Sequence, residues 1–122
     1  FEGCLGYGNG EQSRDFVYVG DVVKVLMHFL DKPVSGIYNC GTGHAHQFNT
    51  LAKAVLNHFG SGELEYVPFP EVLKGKYQSF TEADDTNLLA AGYDGGFTPI
   101  EEAAEEYCQL LDKTGGYYVY EG

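Results

Sequence analysis

The chain's one arginine, Arg14, stands beside Asp15, and a second basic and aromatic cluster follows at Lys74-Gly75-Lys76-Tyr77. A guanidinium offers a planar fork of donors to a phosphate, and a tyrosine adds a ring and a hydroxyl. These residue types suit an anionic ligand such as a diphosphate. The opposing reading pairs Arg14 with a nearby carboxylate and leaves both lysines solvated, and residue types alone favour neither. Charge sharpens the question, because seven Lys and Arg face 18 Asp and Glu, for a net charge of −11. So acidic a body repels a nucleic-acid backbone. Any anion must be held by a few placed bases or by backbone amides.

Other chemistry-bearing patterns carry less. Gly6-x-Gly8-x-Gly10 precedes a predicted strand, whereas a dinucleotide fingerprint follows a strand and opens a helix, so it reads as a loop. Gly41-Thr42-Gly43 does follow a predicted strand and leads towards a helix. Its amides suit an anion in principle, but a tight strand-to-helix turn explains it as well. His44-x-His46 lacks a third and fourth ligand at metal-site spacing, and no metal site is expected. Cys4, Cys40 and Cys108 are odd in number with no C-x-x-C, which fits free thiols in a reducing cytoplasm. Ser13, Ser35, Ser61 and Ser79 fall in turns or strand ends, and no nucleophile elbow is present.

The elements that must position these residues alternate between strand and helix, which is α/β material. Phe16-Val17-Tyr18-Val19, Gly36 to Cys40 and Leu64 to Val67 read as strands. Asp21 is expected to cap a helix carrying Val22, Val25, Leu26, Phe29 and Leu30 along one face. Phe48, Leu51, Ala52, Val55, Leu56 and Phe59 predict a second helix stopped by Gly60. Asp84 or Asp85 caps a short helix through Leu88 and Leu89. Thr98, Pro99 and Glu101 predict a capping box on the last helix, with Ala103, Ala104, Tyr107, Leu110 and Leu111 inward. Residues 1–122 read as one unit, with 113–122 a loosely held tail. No apolar run approaches membrane-spanning length. A start at Phe1 inside a glycine-rich loop points to a missing upstream portion.

Phe1-Glu2-Gly3, Arg14-Asp15-Phe16-Val17-Tyr18-Val19-Gly20-Asp21-Val22 and Asn39-x-Gly41-Thr42-Gly43 together resemble the carboxyl-terminal portion of extended short-chain dehydrogenase/reductases. The stretch from Leu64 to Pro70, with Leu73 to Asp84 and Asn87 to Tyr93, is similar to the ADP-heptose 6-epimerase branch of that family. The resemblance implies an α/β fold in which this chain is the substrate-binding part, laid over an NAD(P)-binding Rossmann core that is largely absent here. It implies that Phe1, Glu2, Gly3 and Cys4 line the ADP-sugar pocket, that Arg14 holds the diphosphate and that Tyr77 contacts the nucleotide sugar. The family has serine where this chain has Cys4, and a thiol is the weaker hydrogen-bond partner.

It further implies an isomerase that removes and returns hydride at C6 of the heptose in making a lipopolysaccharide precursor. NADP would be bound by the missing amino-terminal domain. The whole protein would be a cytoplasmic homo-oligomer. The family's Tyr-x-x-x-Lys dyad is absent, because no tyrosine of this chain has a lysine four residues on. No catalytic or cofactor-binding residue is therefore expected in this chain, which alone would be inactive. Two alternatives stand beside this reading: another nucleotide-sugar epimerase or dehydratase of the superfamily, and a non-catalytic nucleotide-sugar binding module.

Overall fold

A computed structural model of the protein describes residues 1–116. Residues 117–122, most of the expected tail, lie outside the described residues. The elements run β1 (Ser13–Arg14), α1 (Val19–Asp31), β2 (His46–Gln47), α2 (Phe48–Phe59), a 3-10 turn (Glu71–Leu73), α3 (Thr86–Ala90) and α4 (Ile100–Thr114). β1 and β2 pair antiparallel, Ser13 opposite Gln47 and Arg14 opposite His46. On its other side β1 meets the segment around Phe80. Ser13 N donates to Ser79 O at 2.8 Å, and Thr81 N donates to Ser13 O at 3.2 Å. Arg14 therefore enters from the middle of a three-segment ladder.

The three predicted strands are not strands among the described residues. Phe16 to Tyr18, Gly36 to Cys40 and Leu64 to Val67 are without a hydrogen-bonded ladder, and Val19 already belongs to α1. β-branched composition fits a pleated surface, but a strand exists only when a neighbour takes its amides and carbonyls. The ladder that does form uses Ser13 and Arg14 just upstream.

α2 follows the sequence reading. Its apolar stripe faces α4, and Gly60 ends it in the left-handed region at φ 67°, with its amide bonded to Leu56 O. Between these helices sit Ala54, Ile100, Ala104 and Cys108, all buried. Small side chains here let the two helices approach closely. α1 turns Val25 inward, where it meets Leu88 and Tyr93, with Phe29, Tyr38, Cys40 and Phe97 around them. Two members of the expected α1 stripe are not covered: Leu26 is 60% and Leu30 73% exposed.

Both predicted caps on α1 and α4 are corrected in one place. Asp21 lies inside the first turn of α1, fully buried, and Tyr18 precedes the helix instead. The Asp21 carboxylate accepts from Thr98 N at 2.7 Å, from Thr98 Oγ1 at 3.0 Å and from Lys24 Nζ at 2.8 Å. Thr98 is thereby taken from α4, whose first turn is preceded by Pro99 and makes no side-chain cap bond, so the box with Glu101 does not close. A buried carboxylate needs donors more than an exposed helix end does. Burial pushes the Asp21 pKa up, and the Lys24 and Thr98 bonds outweigh that and hold it below 3.8. Asp84, as expected, takes the Thr86 amide at the start of α3, at 3.0 Å.

Two ion pairs from one histidine lock α2 to α4. His58 Nδ1 lies 3.0 Å from Glu105 Oε2, and His58 Nε2 lies 2.7 Å from Asp112 Oδ2. Gln109 Nε2 holds the other Glu105 oxygen at 2.9 Å. Both ring nitrogens face carboxylates, so only the imidazolium, a donor at each, satisfies the pair. The bonds to Asp112 and Glu105 raise the His58 pKa above its ordinary 6.5. The clasp's stability is therefore complete below that ordinary value and is lost as pH rises through the higher folded value. The expected outcome is that His58→Gln lowers the urea midpoint clearly at about pH 5.5 and much less at about pH 9. Equal losses at both would show that protonation does not matter to the contact.

Candidate functional site

Arg14 and Asp15 are neighbours on extended backbone, where successive side chains leave on opposite sides. They do opposite jobs. Asp15 turns into the Gly41-Thr42-Gly43 turn, where its Oδ1 accepts from Thr42 N at 2.9 Å and from the Thr42 hydroxyl at 2.6 Å. Its Oδ2 accepts from Gly43 N at 2.9 Å and Ala83 N at 3.1 Å. Burial pushes this carboxyl up, and the bonds from Thr42, Ala83 and Gly43 outweigh it and hold the pKa below 3.8. A Cβ on Gly41 would sit 2.5 Å from Ala83 Cβ and 2.8 Å from Asp15 Oδ2, so only glycine fits. The amides that suit an anion are thus filled from within by Asp15. The turn is structural.

With Asp15 committed, Arg14 is left without a carboxylate partner among the described residues. Its Cζ lies 4.8 Å from the centre of the Tyr77 ring, and one guanidinium nitrogen donates to Ser13 O at 2.8 Å. A guanidinium over an aromatic face gains electrostatically and keeps donors for a ligand. The Tyr77 ring in turn stands edge to face with Phe1 at 6.1 Å and Phe69 at 5.3 Å, and Phe1 meets Phe69 at 5.3 Å. Lys74 pairs with Glu71, and Lys76 is exposed.

The segment Phe1–Cys4 is tied to the same place by backbone. Glu2 N donates to Val67 O at 2.9 Å, and Gly10 N donates to Phe1 O at 2.9 Å. Gly3 N donates to Asn9 Oδ1 at 2.8 Å, and a Cβ there would sit 2.6 Å from Tyr7 O. The Gln12 side chain, 1% exposed, donates to Glu2 O at 3.3 Å and reaches Cys4 Sγ at 3.6 Å. The structure therefore brings Phe1, Arg14 and Tyr77 into one patch, and ties Glu2, Gly3 and Cys4, next to Phe1 in the chain, to Val67, Asn9 and Gln12. Sequence reasoning missed Gln12 and Phe69, which hold that patch together. The Pro68-Phe69-Pro70 run was the available signal for Phe69, and Gln12 carried none.

The glycine loop fits no dinucleotide. Gly10 is buried at φ 65°, and a Cβ on it would clash with Asn49 Oδ1 on α2, so the loop packs against that helix instead of opening towards a pyrophosphate. The four histidines have structural partners: His28 the Ala91 carbonyl, His44 the Thr42 carbonyl, His46 the β1 ladder and His58 the α4 carboxylates. Among the described residues no cluster of His, Cys, Asp or Glu could hold a metal ion. All three cysteines are free thiols, and burial pushes the pKa values of Cys40 and Cys108 up. No described helix is long and apolar enough to cross a membrane.

Comparison with known proteins first gives a likeness of class. The pattern of the NAD dependent epimerase/dehydratase family matches residues 2–41, which contain Arg14, Asp15 and Gly41. The solved NAD dependent NDP-hexosamine 5,6-dehydratase involved in tunicamycin biosynthesis superposes with a TM-score of 0.69 at 25% identity, covering 87% of this chain and 34% of that one. The UDP-N-acetylglucosamine 4-epimerase from Methanobrevibacter ruminantium M1, solved with UDP-N-acetylmuramic acid, gives 0.65 at 24% identity over 88% and 34%. The α/β arrangement is the one these enzymes share.

Within that class the sequence is similar to proteins named ADP-L-glycero-D-manno-heptose-6-epimerase. It is 57% identical over 112 residues to that of Alkalilimnicola ehrlichii, covering 91% of this chain and 35% of the relative. It is 51% identical over 127 aligned positions to that of Thiobacillus denitrificans, covering 91% and 38%. The resemblance read from the residues is thereby shown over nearly all of this chain. The chain spans little more than a third of the length of these curated relatives.

Asp15→Asn tests the hub. The amide keeps one acceptor but sets an N–H₂ against the N–H groups that Oδ2 now accepts. Two charge-assisted bonds are lost, an expected cost of about 3 kcal/mol, read by chemical denaturation near neutral pH. Asp15 stabilises above its ordinary 3.8 and ceases to as pH falls through the depressed folded value, so the difference should close in acid.

Proposed function

We propose that this chain is the substrate-binding part of an NADP-dependent ADP-glycero-manno-heptose 6-epimerase that serves lipopolysaccharide precursor synthesis in the cytoplasm. The observation that carries the reading is the chain's one guanidinium, unpaired among the described residues, over the Tyr77 ring that Phe1 also packs against. A diphosphate needs a bidentate cation, and a nucleoside needs ring and backbone surfaces. The patch supplies both. Arg14 takes the diphosphate, Tyr77 and Phe1 bound the nucleotide sugar, and Glu2, Gly3 and Cys4 line the pocket beyond Phe1.

NADP, when bound, supplies removal and return of hydride at C6 of the heptose. Neither glycine turn described here accepts it, since one is packed on α2 and the other is filled by Asp15. With no Tyr-x-x-x-Lys in the sequence, we assign the acid–base pair and the cofactor to a portion outside this chain. This chain binds and orients and does not turn over alone. An uncovered apolar face supports the division. Val19, Val23, Leu26, Met27 and Leu30 on α1 are all more than half exposed, and Ile37 is 91% exposed. Apolar patches of that kind mark surfaces meant to be covered.

Calorimetry with ADP, UDP and dTDP tests the reading. Arg14→Ala should weaken ADP binding about 10- to 150-fold, the span of one or more hydrogen bonds to a charged group. An unchanged affinity would remove Arg14 from the site. A preference for UDP or dTDP over ADP would move the protein to another nucleotide-sugar epimerase or dehydratase.

A further inference from the structure

Phe69, between Pro68 and Pro70, is an aromatic residue buried in a stretch without a ladder. Its backbone is fixed by other means. Proline sets its own φ near −65° and restricts the residue before it to extended conformations. Pro70 thus constrains Phe69, and Pro68 constrains Val67. Both flanks are anchored, since Val67 O accepts Glu2 N at 2.9 Å and Pro70 O accepts Leu73 N at 3.0 Å. The turn so begun delivers Tyr77, whose amide donates to Leu73 O at 3.0 Å.

The ring of Phe69 is 5.3 Å from both Phe1 and Tyr77, edge to face with each, at interplanar angles of 71° and 78°. Phe1 is 41% exposed and Tyr77 half-buried, while Phe69 is 9% exposed. The buried ring therefore supports the two more accessible ones. Tyr77 then fixes the plane under Arg14.

We propose that Phe69 is a positioning residue for anion binding: held between two prolines, it orients Tyr77 and Phe1 and through Tyr77 the Arg14 guanidinium. The functional part of this inference rests on the nucleotide-sugar reading above, whereas the placement of the guanidinium stands apart from it. A mere packing residue would affect stability without regard to Arg14. A positioning residue must be felt at Arg14 itself and lose its effect on binding once Arg14 is gone.

The chain has one arginine, so its Nε–Hε group should give a single NMR signal, and the Tyr77 ring 4.8 Å from Cζ should displace it by its ring current. In the protein without ligand, Phe69→Leu should move that signal towards the position of a solvated arginine, and Phe69→Tyr should leave it in place. Phe69→Leu should weaken ADP binding about tenfold, within the span that coupled neighbours show. The same substitution made in Arg14→Ala should weaken it no further. An unmoved Arg14 signal in folded Phe69→Leu overturns the proposal, as does an equal loss of affinity with and without Arg14. Failure of the nucleotide reading looks different: Arg14→Ala binds ADP as the parent does, while Phe69→Leu still moves the Arg14 signal.

Discussion

The Asp15 carboxylate is the constraint on which the rest of the molecule hangs. Four donors from the segments around Thr42 and Ala83 converge on its two oxygens, at 2.6 to 3.1 Å. Without that anion, the Gly41-Thr42-Gly43 amides and the Ala83 amide would face one another, a cluster of like dipoles with nothing at its centre. With it, the chain after β1, the turn before β2 and the approach to α3 are bound to one point. Charge-assisted bonds are among the stronger ones available to a protein. They substitute here for the sheet that the described residues do not build, whose only regular ladder is two residues long.

The same carboxylate decides what Arg14 can do. In an acidic chain the default fate of a lone arginine is an ion pair with the nearest aspartate, and the nearest aspartate is its own neighbour. Asp15 is withheld by geometry, because alternation sends it to the other side of the backbone, and by saturation, because its oxygens are taken. Arg14 is thus held over Tyr77, where attraction to the ring needs no hydrogen bond and leaves donors open. Structure and recognition are separated across a single peptide bond.

The sequence made some of this legible. α2 was readable because its stripe and its stop agree: six apolar residues at helical spacing, then a glycine that adopts φ 67°. The patch was readable residue by residue only through family likeness, since nothing in the spacing of Phe1, Arg14 and Tyr77 brings them together. Strands at 16–19, 36–40 and 64–67 were misread because pairing is non-local, whereas composition is local. The caps at Asp21 and Thr98 failed for a related reason. Each residue type does suit a helix start, but the two found each other across 77 positions and the buried carboxylate took precedence. Gln12 was invisible as a site residue because a lone glutamine in a loop has no pattern to betray it, whereas the prolines on either side of Phe69 marked a fixed backbone without saying what its ring would support.

Electrostatics closes the argument. A net charge of −11 would seem to forbid an anion site. Screening limits the reach of that charge, since exposed groups farther than about 8 Å are largely damped at physiological salt. What counts is the local set, and there the carboxylate next to Arg14 in the chain is occupied. Asp15 is taken by amides, and Glu71, in the turn that leads to Tyr77, by Lys74. Each such engagement removes a competitor for the guanidinium. The acidic body and the cationic patch are therefore compatible, because the fold spends its nearby negative charge on holding itself together before the arginine is presented.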